Sequence, residues 1–367
     1  MVLLNFSDRQ LFETAVVETN IILLKKTQFA KNMHVADVNE TLGNVESMAE
    51  FLESYGYVVK ELSEEGWTIG DEKGNAVKEK IEQVGKKLKD WNVSIDYGIK
   101  TALNEAFIIS GEIRAELTKE DTKSKKIIKP TLRGRDLKRY SYTFSDQWII
   151  FTHNGVKSKG IPRIDAQKDY PAVYKYLKKF LPAIENRADQ GDHWSNLRNC
   201  AYIELFEEPK IIWGELSDQA KFTYDEEGHY LNNTMFMLTG ESLKYLLSVL
   251  NSKVAQWYFE KISTTSGMGT NRWLKYKIEQ LPVPLPDKKN EKILTGLVDK
   301  VLAAKNEKKD SGSLENKIDA LIFHLYQLTE DEMTQVLDTF KDLSIKDRNQ
   351  IQNEYWNIAN NKFKIEA

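Results

Sequence analysis

Residues 123 to 140 read KSKKIIKPTLRGRDLKRY. From Lys123 to Arg139 this stretch carries eight basic side chains (Lys123, Lys125, Lys126, Lys129, Arg133, Arg135, Lys138 and Arg139) against one acid, Asp136. The whole chain of 367 residues holds 52 basic and 55 acidic side chains, a net charge of −3. A chain that is slightly acidic overall therefore concentrates positive charge in one place. Pro130 and Gly134 predict a loop, so that the cations fan from a turn and do not line a helix. A charge run is often no more than a solvated face. Here Arg133 and Arg135 stand two apart, and arginine suits bidentate contact with guanine or phosphate. Arg135 has a rival role, pairing with Asp136 or another acid to hold the loop in shape.

Working outward, two further basic clusters occur. VKSKGIPR contributes Lys157, Lys159 and Arg163, and TNRWLKYK contributes Thr270, Asn271, Arg272 and Lys275. The second cluster ends a polar loop, STTSGMGTNRW, in which Thr264 and Ser266 add hydroxyls. Basic loops distant in sequence and rich in Ser, Thr, Asn and Trp have the composition of a DNA-facing surface. The polar loop follows a predicted helix and lacks the G-K-[ST] ending of a nucleotide-binding phosphate loop. It is expected to become ordered on DNA.

The bulk numbers exclude several classes. Hydrophobic residues at 41% and aromatics at 11% are too many for a mainly disordered chain. No apolar run reaches the 18 or so residues of a membrane span, and no signal-peptide pattern opens the chain. A cytoplasmic protein without membrane partners is expected. Cys200 is the one cysteine, and the five histidines form no close ligand pair. No metal site is expected. Asp96, Glu105, Asp136, Glu204 and Glu215 assemble into a two-metal nuclease site only on paper, and Glu208, Lys210 and Glu215 match the usual pattern inexactly. EPKIIWGEL reads more simply as a core strand containing Ile211, Ile212 and Trp213.

The order of elements predicts an α+β fold. MVLLNF and VVETNIILLKK read as buried strands at the end of a larger sheet. Residues 31–90 form a connecting module with a turn-rich hairpin at GWTIGDEKGNAV and an amphipathic helix carrying Val77, Ile81, Val84 and Leu88 on one face. Residues 91–286 mix strands with helices near 114–121, 170–186 and 241–261. Residues 287–367 are helical, and Thr329 with Glu332 makes a capping box.

DYGIKTALNEAFII, IIKPTLRGRDLKRY, WIIFTHNG, LKYLLSVLNSKVAQWYF, EQLPVPLP and LENKIDALIFHLYQLTEDEM, in that order over about 91 to 340, resemble the C-terminal specificity domain of Taq-type adenine-N6 DNA methyltransferases. The same arrangement recurs in fused type IIG restriction-modification enzymes. LRGRDLKRY and LNSKVAQWYF are its most specific pieces, and Ala102 stands where that family tends to have Gly. The resemblance implies a target-recognition domain at 91–286 behind the last strands of a Rossmann-like methyltransferase domain at 1–30. It implies double-stranded DNA as partner, and S-adenosylmethionine as cofactor of the full-length parent, which carries the missing methyltransferase domain and possibly a nuclease domain. Phe12 matches the aromatic position that stacks on a flipped adenine, with a core role as the alternative. No N-P-P-Y tetrapeptide and no glycine-rich cofactor loop occur in the chain, so no catalytic residue and no cofactor site is expected here. The rivals are a protein-interaction module and a specificity subunit working with separate catalytic subunits.

Overall fold

The computed structural model describes residues 1–6, 12, 19–26, 32–38, 47–59, 72–263 and 270–360. The N-terminal part is a four-stranded sheet built from β1 (Val2–Asn5), β2 (Asn20–Leu23), β3 (Met33–Asp37) and β4 (Tyr57–Val59), in the order β2-β1-β3-β4. Strand β1 runs parallel to β3 and antiparallel to β2. Successive side chains face opposite ways, so Leu4 and Ala36 join Phe51 of α1 (Met48–Tyr55) on one face while Leu3 and Val35 join Val59 on the other. NIIL of β2 is not the buried strand expected from its composition. Among the described residues it lies at the edge with a single neighbour, and Ile21, Ile22, Leu23 and Leu24 are all exposed.

Next come α2 (Glu72–Val84), β5 (Gly85–Lys87), β6 (Val93–Tyr97), α3 (Asn104–Phe107), β7 (Ile108–Ser110), α4 (Gly111–Glu120), β8 (Ile128–Leu132), β9 (Leu137–Lys138), β10 (Ser141–Tyr142), β11 (Gln147–Ile150), α5 (Ala166–Asp169) and α6 (Pro171–Lys178). The expected hairpin at GWTIGDEKGNAV is replaced, from Glu72 onward, by the first turns of α2; its earlier residues lie outside the described set. The chain continues through β12 (Lys210–Gly214), β13 (Leu216–Ser217), β14 (Thr223–Asp225), β15 (Tyr230–Leu231), β16 (Met235–Gly240), α7 (Leu243–Leu250), α8 (Lys253–Ile262), β17 (Asn271–Arg272), α9 (Lys275–Ile278) and β18 (Pro282–Pro284). Helices α10 (Lys288–Asn306), α11 (Gly312–Leu325), α12 (Glu330–Asp338) and α13 (Ile345–Ala359) complete it.

One sheet, β14-β12-β16-β6, is the wall between the two main cores. Along β12, Ile211 and Trp213 face a core shared with α2, α7, α8 and the C-terminal helices, while Ile212 faces the other way. Along β16, Phe236 and Leu238 share the first side, and Met235 and Met237 the second. A strand buried on both faces reads as a continuous apolar run, and KIIW and MFML do. The second core is completed by the sheet β15-β8-β11-β7 and by α6. After β6 the chain turns through Ala102, whose φ of 52° is left-handed, at the position where the resembled family favours Gly.

The helix expected over 241–261 is two helices. Asn251 ends α7 with its backbone amide still bonded to the Leu247 carbonyl, while its side chain accepts the Phe222 amide at 3.1 Å and donates to the Phe222 carbonyl at 2.9 Å. Ser252 then caps α8 through the Ala255 amide. The capping box of Thr329 and Glu332 opens α12 as expected.

Candidate nucleic-acid interface

The basic run from 123 to 139 is not one loop. Its centre, IKPTL, is strand β8, with Ile128, Thr131 and Leu132 buried. Pro130 pairs with Trp148 of β11, just before β15 joins the other side of β8 at Thr131. A residue without an N–H is tolerated where a strand still has an open side. Apart from Lys129, which lies on the strand, the cations are divided into a set on the turn before it and a set on the turn after it, about 16 Å apart at 3.3 Å per residue.

On the turn after β8, Arg133 makes a two-pronged ion pair with Asp136, Nε to Oδ2 at 3.0 Å and Nη2 to Oδ1 at 2.9 Å. Its Nη2 also donates to Ser145 at 2.6 Å, and its backbone amide donates to Asp136 at 2.8 Å. Burial of Asp136 opposes ionisation, yet the hydrogen bonds and charge of Arg133 hold its carboxyl below the usual range. The loop-holding role proposed for Arg135 thus belongs to Arg133. Arg135 is exposed and has no ion-pair partner among the described residues, and the same holds for Lys138. The turn is pressed against β12: a Cβ added to Gly214 would lie 3.3 Å from the Gly134 Cα.

Arg139 points inward instead. Its guanidinium lies 3.0 Å from Glu315 and 3.4 Å from Asp319, both on α11. Lys125 and Lys126, on the turn before β8, are exposed without ion-pair partners among the described residues, whereas Lys129 pairs with Glu207 at 2.9 Å. Of the second cluster, Lys157 is exposed and unpaired among the described residues, Lys159 pairs with Glu204 at 2.7 Å, and Arg163 donates to Asn196 at 2.8 Å. Glu204 and Lys126 line one cleft, so these two basic segments, separate in sequence, lie side by side.

The third cluster is largely consumed by the fold. Asn271 is buried in β17, which removes it from direct contact with a ligand. Arg272 is gripped by Glu215 through Nε at 3.1 Å and again through Nη2. Lys275 donates to the Ile95 carbonyl at 2.6 Å. Thr270 is half-buried, and Thr264 and Ser266 lie outside the described residues. Phe12 is 51% exposed.

Of Asp96, Glu105, Asp136, Glu204 and Glu215, the last three are taken up in these ion pairs, Asp96 accepts from the Ser94 hydroxyl at 2.7 Å, and no group of three potential metal ligands stands together among the described residues. A fully buried polar cluster that composition did not reveal lies behind β12. Lys210 meets Asp225 at 2.7 Å, and Asp225 accepts from His229 through both the ring Nδ1 at 2.9 Å and the backbone amide at 3.0 Å. Its only sequence signal was a lysine at the head of an apolar strand.

Residues 129–283 match the family described as the TaqI-like C-terminal specificity domain. This segment is a TaqI-like specificity domain. The matched segment begins within the basic run and contains Arg133, Arg135, Lys138 and Arg139, but not Lys125 or Lys126. The type II methyltransferase M.BanIII of Aneurinibacillus aneurinilyticus is 22% identical over 238 residues, 61% of this chain. This chain spans 40% of that relative's length. Among solved structures, the type IIL restriction-modification enzyme MmeI in complex with DNA aligns with 98% of this chain and 46% of its own, at 11% identity and a TM-score of 0.46. The type IIG restriction endonuclease BpuSI aligns with 89% of this chain and 44% of its own, at 16% identity and a TM-score of 0.41. No helix among the described residues is long and apolar enough to cross a membrane.

Proposed function

We propose that this chain is the DNA sequence-recognition module of a restriction-modification adenine-N6 methyltransferase. The observation that carries the reading is the Arg133–Asp136 turn inside the specificity domain, which presents Arg135 and Lys138 while Arg133 fixes the backbone beneath them. A rigid turn with a free guanidinium suits readout of a base edge. Lys125, Lys126 and Lys157 on neighbouring turns suit phosphate contacts that set register without reading sequence.

Methylating a base within a duplex requires extruding it, at a cost of a few kcal/mol of stacking. In this reading the specificity domain grips the rest of the site while a methyltransferase domain, which holds S-adenosylmethionine and the extruded adenine, does the chemistry. A nuclease domain in the same assembly is compatible with it. The chain alone binds duplex DNA and neither methylates nor cleaves it. Fluorescence anisotropy with labelled duplex at graded salt tests this. Affinity should fall steeply with salt, with a log-log slope of about −0.9 per phosphate contact. Absence of binding at low salt would remove the proposal.

A further inference from the structure

An open cleft of about 280 Å³ lies beside the turn that carries Lys126. Part of its wall is aromatic: Phe151 and Tyr230, nearly buried, meet edge to face with ring centres 4.9 Å apart, Tyr230 stacks on Phe206, and Tyr170 adds a less buried ring to the lining. Lys126, exposed and without an ion-pair partner among the described residues, lines it too. His153 also lines it, and its Nδ1 accepts the Gly155 amide at 3.1 Å. A neutral imidazole that accepts through Nδ1 carries its proton on Nε2, so the ring has a donor to offer. Burial lowers the His153 pKa and so favours this neutral form. Glu204 uses Oε2 for Lys159 at 2.7 Å, which leaves Oε1 as an acceptor.

A donor, an acceptor, an aromatic wall and a cation in one cleft match the base edge, base surface and phosphate of a single nucleotide. The volume lies just below the usual range for ligand sites, which limits the cleft to one nucleotide unit at most. We propose that this cleft binds one unstacked nucleotide, its base between His153, Glu204 and the aromatic wall and its phosphate at Lys126. The inference rests on the DNA-recognition reading for its source, an unpaired nucleotide of a bound strand. A paired base cannot enter, so the site favours DNA in which a nucleotide is unpaired or displaced.

The test is methyl NMR of the full chain, with Ile127, Ile164 and Ile203 at the cleft as reporters. Each of the four deoxynucleoside 5′-monophosphates is added alone, followed by a duplex with a single-nucleotide bulge and the same duplex fully paired. The expected result is cleft-methyl shifts with at least one monophosphate at millimolar concentration, and stronger shifts with the bulged than with the paired duplex. Lys126→Glu should weaken monophosphate binding by about tenfold. Shifts with free monophosphates but equal response to both duplexes would support the site and make free nucleotide its ligand. Cleft methyls silent to all probes, while paired duplex still binds elsewhere, would overturn the cleft proposal and leave DNA recognition standing. Failure of every duplex to bind would instead count against the recognition reading itself.

Discussion

Arg139 and Asp319 meet across 180 positions of sequence, Nη2 to Oδ2 at 3.4 Å, and tie the β9–β10 hairpin to helix α11. The other Asp319 oxygen accepts the Lys253 amide at 2.8 Å, at the start of α8. One nearly buried carboxylate therefore joins the hairpin, α8 and α11. Replacing Arg139 by Met leaves that charge without its cation, a change that costs about 3–5 kcal/mol in buried pairs. Urea unfolding should show it as a lowered midpoint. A loss below about 1 kcal/mol would mean that solvent already screens the pair.

Arg133 and Arg135 should separate cleanly. Arg133→Ala removes both prongs from Asp136 and should lower stability by about 2 kcal/mol. Arg135→Ala touches no internal partner and should leave the unfolding midpoint within about 0.5 kcal/mol of the parent. On DNA the order reverses: Arg135→Ala should cost about 1–3 kcal/mol on the preferred site and much less on unrelated duplex. Thermal melts and competition binding on both variants check the pair of expectations.

How far the sequence foretold these features depends on whether the deciding interaction is local. The Thr329–Glu332 box was legible because a cap needs only residues three apart. The core strand at 210–214 was legible from Ile211, Ile212 and Trp213 in succession. The basic run misled because Pro130 and Gly134 are turn signals, while the apolar Ile127, Ile128 and Leu132 among the lysines decide for a strand. Which arginine pairs with Asp136 was set by the turn that Arg133 opens through its own backbone amide. The partners of Arg139, Lys210 and Asn251 lie on other elements, and no local pattern announces them. β2 looked buried because composition cannot tell an edge strand from a central one.

Ala102 holds a left-handed backbone, φ 52°, which disfavours any residue with a Cβ. Ala102→Gly relieves that strain but adds freedom to the unfolded chain. The net expectation is a gain of about 0.5–1 kcal/mol. Differential scanning calorimetry checks the sign, and a lower melting temperature would contradict it.

The buried Asp225 carries a stability term that depends on pH. Burial opposes its ionisation, but the His229 hydrogen bond, the Lys210 charge and the Lys210 hydrogen bond outweigh it and hold the pKa below the usual aspartate range. A depressed carboxyl pKa stabilises the folded state above the unfolded value of about 3.9 and loses that contribution as pH falls through the folded value. Asp225→Asn should therefore destabilise the protein at pH 7 by about 3–5 kcal/mol, since it strands the Lys210 charge. The gap from the parent should close below about pH 3.9, measured by urea unfolding across pH. A gap that stays constant with pH would contradict this role.

In the proposed function, the Arg133–Asp136 turn makes the chain a reader of DNA sequence. Selection of bound duplexes from a randomised pool, run in parallel on the parent and on Arg135→Ala, tests it most directly. The parent should enrich a defined sequence, and the variant should lose preference at one base pair while keeping the rest. An unenriched pool from the parent, or an identical preference from Arg135→Ala, would contradict it.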